Sequence, residues 1–231
     1  MYRRRVHNDA LYKTLRKPTE NKVNILYRTI PESRIIPKWM KENYLSCSRL
    51  DLLKIIVEPR GYFELPTDPY NEVFPNIYIG DGATAMCTAL LRRLGITHVL
   101  NAAQGKNRNV GLVNTSEEFY RDSGINYFGI EAFDTISFRL NVYFQDAANF
   151  IENALSSGGK VYVHCRAGIS RSAALVIAYL MIKHRMSVQD AIRKIKENRN
   201  IIPNCGFLRQ LCELNEEIMK ENERHLSRGV P

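Results

Sequence analysis

The sequence predicts an α/β domain, in which a mostly parallel central sheet is flanked by helices, preceded by a basic N-terminal extension. Three observations carry that expectation. Short β-branched and aromatic runs alternate with longer segments of helical periodicity, the pattern of a parallel sheet covered on both sides. Lys160-Val-Tyr-Val163 leads through a short glycine-containing loop into an apolar helix, Ala173–Ile182, which lacks a polar face and so belongs in a core. The charge is also unevenly placed: residues 1–60 hold 14 Lys/Arg against 6 Asp/Glu, a net of +8 out of the chain's +9.

Taken in order, residues 1–45 form the extension, where Arg3-Arg4-Arg5, Arg16-Lys17, Pro18, Pro31 and Pro37 interrupt any long helix and an irregular chain is expected. An Arg-rich start suits a mitochondrial transit peptide, but Asp9, few serines and weak amphipathicity count against one. One folded domain is expected from residue 46 to 231. It opens on a short helix capped by Ser48, with Leu50, Leu53, Ile56 and Val57 as its apolar stripe. Asn76–Gly80 and Ile96–Ala103 read as strands, separated by a helix over Ala83–Leu94 that Gly95 ends. A short helix ending near Gly124 precedes a third strand, Ile125–Ala132. The helix Leu140–Leu155 carries the stripe Tyr143, Ala147, Ile151 and Leu155, and Gly158-Gly159 releases the chain into the strand before the loop. Ser187-Val-Gln-Asp190 resembles a capping box for a helix burying Val188, Ala191, Ile192 and Ile195. A last helix starts near Asn204 and buries Phe207, Leu208, Leu211 and Leu214.

The loop His164-Cys-Arg-Ala-Gly-Ile-Ser-Arg-Ser172 carries the chemistry. Strand, short loop and helix N-terminus together aim backbone N–H groups and a positive dipole end at one point, where an anion can sit. Cys165 lies at the base of that point, and such surroundings favour a nucleophilic thiolate. Arg171, at the first helical turn, can bind two oxygens of a phosphoryl group with its planar fork. Gly168 admits positive φ, so the N–H groups of Arg166, Ala167, Gly168, Ile169 and Ser170 can face inward as a substrate-binding nest. Ser172 can donate to the sulfur and help it leave, and His164 is expected to fix the loop by hydrogen bonds rather than act as a base. A cysteine at a strand end is ordinarily a small buried hydrophobe; the glycine, arginine and serine at fixed offsets argue otherwise here. A nucleotide P-loop is excluded, because no Gly-Lys-Ser/Thr follows the glycine.

His164-Cys165-x-x-Gly168-x-x-Arg171-Ser172 resembles the signature of cysteine-dependent protein phosphatases. Asn71–Gly80, Gly95–Ala103 and Asn204-Cys-Gly-Phe-Leu208 are similar to the small atypical dual-specificity phosphatases of the VHR type, over roughly residues 60–220. The resemblance implies a phosphocysteine intermediate, phosphotyrosine and phosphoserine/threonine in proteins as substrates, and neither metal nor cofactor. Expelling an alcohol or phenol needs a proton donor. Asp134, just past the third strand and followed by Thr135 as in the family, fits that role better than Glu131 or Asp146. Arg199 corresponds by resemblance to a rim arginine that meets a second phosphate or acidic side chain. Lys106-Asn-Arg108 copies a piece of the phosphotyrosine-recognition loop of classical tyrosine phosphatases but stands at the wrong distance from the cysteine, and is discounted. Arg166, Ala167 and Ile169 depart from the paired lysines of phosphoinositide phosphatases. A phosphate-reading module without turnover is the alternative from another class, disfavoured because Cys165, Arg171 and Asp134 are all present.

At 45% hydrophobic and 25% charged residues the chain has the balance of an ordinary soluble globular protein, and no apolar run approaches a membrane span. Five cysteines at irregular spacings argue against a disulfide framework or zinc site, and for a reducing cytoplasmic or nuclear compartment. Aromatic interleaving for base stacking is thin, so nucleic acid is not an expected partner. Arg16-Lys17 followed after five residues by Val23-Asn24-Ile25 resembles the docking peptides that bind mitogen-activated protein kinases, which makes such kinases candidate partners beside phosphorylated proteins in general. An uncommitted solvated tail is the other reading, and nothing in the sequence specifies an oligomeric state.

Overall fold

The computed structural model describes residues 47–228. In chain order its elements are α1 (Arg49–Val57), β1 (Tyr70–Phe74), β2 (Ile77–Gly80), α2 (Gly82–Ala85), α3 (Thr88–Leu94), β3 (His98–Asn101), α4 (Glu117–Tyr120), β4 (Asn126–Gly129), α5 (Phe144–Ser156), β5 (Val161–His164), α6 (Arg171–His184), α7 (Val188–Lys196) and α8 (Cys205–Arg228). Turns of 3-10 helix lie at Arg108–Val110, Arg121–Ser123 and Leu140–Tyr143. The expected irregular extension and its docking peptide, residues 1–45, lie outside the described residues.

The sheet has the order β1-β2-β5-β3-β4, parallel except for the antiparallel edge pair β1/β2. Alternation at period two divides its side chains between two cores. Ile77, Ile79, Leu100, Val161 and Val163 pack beneath α1 and α5–α8, whereas Tyr78, Val99 and Tyr162 pack with Ala85, Leu91, Ile96, Tyr120 and Ile125 on the opposite face. Helix α6 is buried from Arg171 through Met181, so its lack of a polar face matches its place at the centre of the helical layer. The registers bring Gly80, His164 and Asn101 level, so β2, β5 and β3 end together. Cys165 therefore leaves the central strand at the sheet's C-terminal edge, the side where open α/β sheets bind ligands.

Several local expectations need correction. Helix α1 is capped by Ser48, whose hydroxyl accepts from Asp51 N, but it buries Leu52, Ile55 and Ile56 while Leu50 is 63% exposed. Nine residues hold too few apolar positions to define the phase of a stripe. The helix expected over Ala83–Leu94 is broken at Met86-Cys87 into α2 and α3, and Tyr120 Oη donates to Ala85 O at 2.7 Å where the first of them ends. The first turn expected in α5 is 3-10, with Asn141 N held by Gln210 Oε1 at 2.8 Å. Edge strand β1 was not anticipated. Its pairing shifts register between Glu72 and Phe74, and it exists through its partner rather than through a pattern of its own. Cys47 and Cys212 form a disulfide joining the start of α1 to α8, against the expectation of none. Odd number and irregular spacing argue against a framework of bridges, but they are blind to one long-range pair.

Candidate active site

The loop after β5 is a cradle whose backbone polarity is fully sorted. Its carbonyls are tied outward: Cys165 O accepts from His164 Nδ1 at 3.2 Å, Arg166 O from Gly82 N at 3.0 Å, and Ala167 O and Gly168 O from Arg199 Nη2 and Nε at 3.2 and 2.8 Å. Ile169 O accepts from Ile202 N and Ser170 O from Ala174 N, both at 2.9 Å. Among the described residues no backbone carbonyl accepts from the N–H groups of Arg166 to Ser170. A loop whose carbonyls are tied back while its N–H groups take no carbonyl, lining a cleft, is suited to hold an anion. Gly168 makes the bend possible at φ 66°, and a Cβ there would run into the Gly80 carbonyl. Ser170, at the N-cap position of α6, makes no side-chain cap bond, so the helix end stays open toward the cleft.

Cys165 is 2% exposed at the base of this cradle. Burial pushes its thiol pKa up, but the Arg171 guanidinium, the Ser172 hydroxyl and the N–H groups of Ser172 and Ile169 outweigh burial and hold it below the ordinary value. Ser172 Oγ donates to Cys165 Sγ at 3.4 Å. His164 is buried, which lowers its pKa to about 4, so the ring is neutral at physiological pH. Its Nδ1–H donates to the Cys165 carbonyl and Nε2 has no partner, the arrangement of a strut rather than of a base.

Arg171 is also buried, with Nη1 donating to Ala132 O at 2.9 Å. Its Nε makes no hydrogen bond, although Asp134 Oδ2 lies 3.6 Å away. A guanidinium edge held in place with an unpaired donor is ready for a ligand oxygen. Asp134 is partly exposed beside it, and its Oδ1 accepts from Ser170 Oγ at 2.7 Å and Asn204 Nδ2 at 2.8 Å. Together with Asn109, Val110 and Gly111, the residues Asp134, Cys165, Arg166, Ala167, Ile169, Ser170 and Arg171 line a cleft of about 390 Å³. Glu131 and Asp146 do not line it. Among the described residues no group of three or more His, Cys, Asp or Glu side chains is placed to hold a metal ion.

Arg199 is not a rim residue. It is 2% exposed, and besides the two cradle carbonyls it donates through Nη1 to Asp68 O at 3.0 Å and Asn71 Oδ1 at 2.7 Å. A side chain buried under the cradle with its donors spent on four protein acceptors cannot also meet a second phosphate. Sequence reasoning also passed over the wall formed by Asn109–Gly111, just beyond the discounted Lys106-Asn-Arg108. That loop is fastened where β3 ends, since buried Asn101 donates to Val113 O at 3.0 Å and Thr115 Oγ1 at 2.9 Å. Asn204 was legible as a helix start. Its second use, gripping Asp134 across 70 residues, left no local trace.

The dual specificity phosphatase catalytic-domain family model matches residues 77–217. Dual specificity protein phosphatase 26 of Bos taurus is 50% identical over 149 residues, which cover 64% of this chain and 68% of the relative. Among solved structures, human tyrosine phosphatase-like serine/threonine/tyrosine-interacting protein is 33% identical with a TM-score of 0.55, over 65% of this chain and 97% of that one. A mouse putative dual specificity phosphatase complexed with zinc tungstate is 28% identical with a TM-score of 0.58, over 70% and 96%. The matched span takes in β2 through most of α8, and so the cradle, Arg171 and Asp134. On that match, the chain belongs to the dual specificity phosphatase family, as a protein phosphatase of its atypical group.

Proposed function

We propose that this phosphatase hydrolyses phosphotyrosine and phosphoserine or phosphothreonine in proteins by two displacements through a phosphocysteine. The observation that carries the reading is the buried, acidified Cys165 under a loop whose N–H groups take no backbone carbonyl, with Arg171 Nε free of hydrogen bonds beside it. The Cys165 thiolate attacks phosphorus as the ester oxygen leaves with a proton from Asp134. The transferring group's oxygens are held by the cradle amides and the Arg171 fork, which grip the transition state more tightly than the ground state. In the second step Asp134, now a carboxylate, takes a proton from water as the water attacks phosphorus. The thiolate departs with the Ser172 hydroxyl donating to it, and phosphate is released. The cleft's modest volume supports acceptance of both aryl and alkyl phosphoesters. The zinc tungstate complex of the mouse relative is in keeping with an oxyanion site in this family.

The test is acid quenching of the enzyme with ³²P-labelled phosphoproteins, followed by a panel of phosphotyrosine, phosphoserine, phosphothreonine and phosphoinositide substrates. Label is expected on Cys165, with turnover of all three phosphoamino acids. Cys165→Ser should lose label and turnover but keep oxyanion binding. Wild-type turnover by Cys165→Ser would overturn the mechanism, and turnover confined to the lipid would overturn the substrate class. We further propose that the basic residues 1–45 dock protein partners, with mitogen-activated protein kinases as the first candidates on the strength of the Arg16-Lys17 and Val23-Asn24-Ile25 pattern.

A further inference from the structure

The loop that carries Asp134 and the 3-10 turn after it present an apolar strip to solvent beside the cleft. Phe133 is 36% exposed, Ile136 64% and Val142 53%. Between them Phe138 and Tyr143 are half-buried against the main core. The three rings follow one another: Phe133 meets Phe138 edge to face with centroids 6.2 Å apart, and Phe138 stacks on Tyr143 at 6.4 Å. Asp134 and Arg139 are the charged residues in this stretch. Single exposed apolar side chains are ordinary on a protein surface, but a contiguous strip of them marks a contact site.

The strip is fastened from beneath. Gln210 of α8, itself 4% exposed, donates through Nε2 to Phe138 O and accepts from Asn141 N at Oε1, both at 2.8 Å. The Ile136 backbone lies so close to Gly206 that a Cβ there would collide with it, and Leu140 is fully buried. Apolar side chains on a backbone already held in place lose little freedom when they are covered, so this surface is pre-organised for an occupant. The occupant follows from where the strip begins. Phe133 and Ile136 flank Asp134, which lines the cleft, so the strip is continuous with the place where the phosphorylated residue must enter. A chain whose phosphoryl group reaches Cys165 lays residues next to the phosphorylated one beside this loop. At about 3.3 Å per residue, an extended segment leaving the cleft along the rings keeps roughly its first four side chains over them. The geometry points to Phe133, Ile136 and Val142 as a specificity surface that reads one flank of the phosphorylated residue, favouring substrates with an aliphatic or aromatic side chain within about four residues of it. This inference rests on the reading of the enzyme as one that acts on phosphorylated residues in proteins.

The experiment measures kcat/KM of the full chain on phosphotyrosine peptides in which each nearby position, on either side, is in turn Leu or Ser. The readout is the Leu-to-Ser ratio at each position, which cancels any general loss of activity in a variant. Wild type is expected to favour Leu about 5-fold to 10-fold at one or two positions confined to one flank, the scale of partly burying one aliphatic side chain. Phe133→Ser and Ile136→Ser should each bring that ratio toward unity, while Ile136→Val, which keeps an aliphatic surface, should retain it. Val142→Ser should act only at the position farther from the phosphorylated residue. A flat ratio in wild type, or a preference that survives Phe133→Ser combined with Ile136→Ser, would overturn the proposal. So would concentration-dependent sedimentation that Ile136→Ser abolishes while the peptide ratios stay flat, which would assign the strip to a second copy of the chain. A Leu preference that appears only after residues 1–45 are deleted would assign it to that segment instead. If small aryl phosphates or phosphoinositides are turned over and no phosphopeptide is, the protein-substrate reading fails and this inference falls with it. That result is distinguishable from a flat ratio because no peptide is then a substrate at all.

Discussion

At Cys165 two opposed effects act on one atom. A thiol buried in apolar surroundings is ordinarily inert and protonated, and burial is indeed the largest single influence on it. Four donors outweigh it: the Arg171 guanidinium, the Ser172 hydroxyl and the N–H groups of Ser172 and Ile169. They act where dielectric screening is weak, so the burial that penalises the thiolate also strengthens what stabilises it. Because the pKa is lowered, the thiolate is the form present on the alkaline side of a midpoint below the ordinary thiol value. Removing a donor must move that midpoint up. Ser172→Ala is expected to shift the pH profile of iodoacetate alkylation to higher pH, and Arg171→Ala to shift it further, following the order of their contributions. An unmoved profile in Arg171→Ala would mean that the guanidinium does not sustain the thiolate. His164, directly before this cysteine, remains neutral, because burial outweighs the Cys165 carbonyl and Asp81, which favour its charge.

Among the elements, the segment after α7 bears on the cradle most directly, through Arg199. Its fork fastens the carbonyls of Ala167 and Gly168 from behind while its other arm holds the β1 approach at Asp68 and Asn71. A planar, five-donor group suits such divergent acceptors, and lysine cannot reproduce it. Arg199→Ala strands buried carbonyls and is expected to cost about 2–4 kcal/mol of folding stability, read by urea unfolding. Activity should fall on singly and doubly phosphorylated peptides alike, and Arg199→Lys should rescue little of it. A loss confined to doubly phosphorylated peptides would return the residue to the substrate-facing role that resemblance gave it.

For the whole chain, the uneven charge is the dominant fact. Residues 61–231 carry a net of only +1, so the cleft sits in a nearly neutral domain and the basic surplus lies ahead of it. A cleft of this size reads little of a protein beyond its phosphorylated residue, and selectivity must then come from contacts elsewhere. Deleting residues 1–45, which spares Cys47 and its disulfide, is expected to leave turnover of a small aryl phosphate unchanged. For a phosphorylated kinase partner kcat/KM should fall several-fold at low salt, and the difference should shrink as salt screens the attraction. Equal rates for the two forms on every phosphoprotein, at low and high salt, would remove the docking role.

The cradle was legible in sequence because it is local. Cys165, Gly168, Arg171 and Ser172 fall within eight consecutive residues, and strand, loop and helix geometry over so short a span leaves them few ways to face each other. The parallel sheet was legible too, since hydrophobic periodicity acts at the same short range, and so was the cap at Ser48. Tertiary structure decided what depends on two distant segments meeting. It took Arg199 from the rim to the underside of the cradle, brought Asn109–Gly111 to the cleft wall, and set Tyr120 Oη on the Ala85 carbonyl where a helix is interrupted. It also gave Asn204 a second partner in Asp134. Local sequence determines which polar groups a side chain offers; only the packed fold decides which of them are already taken, and an Nε that makes no hydrogen bond is what distinguishes Arg171 from Arg199.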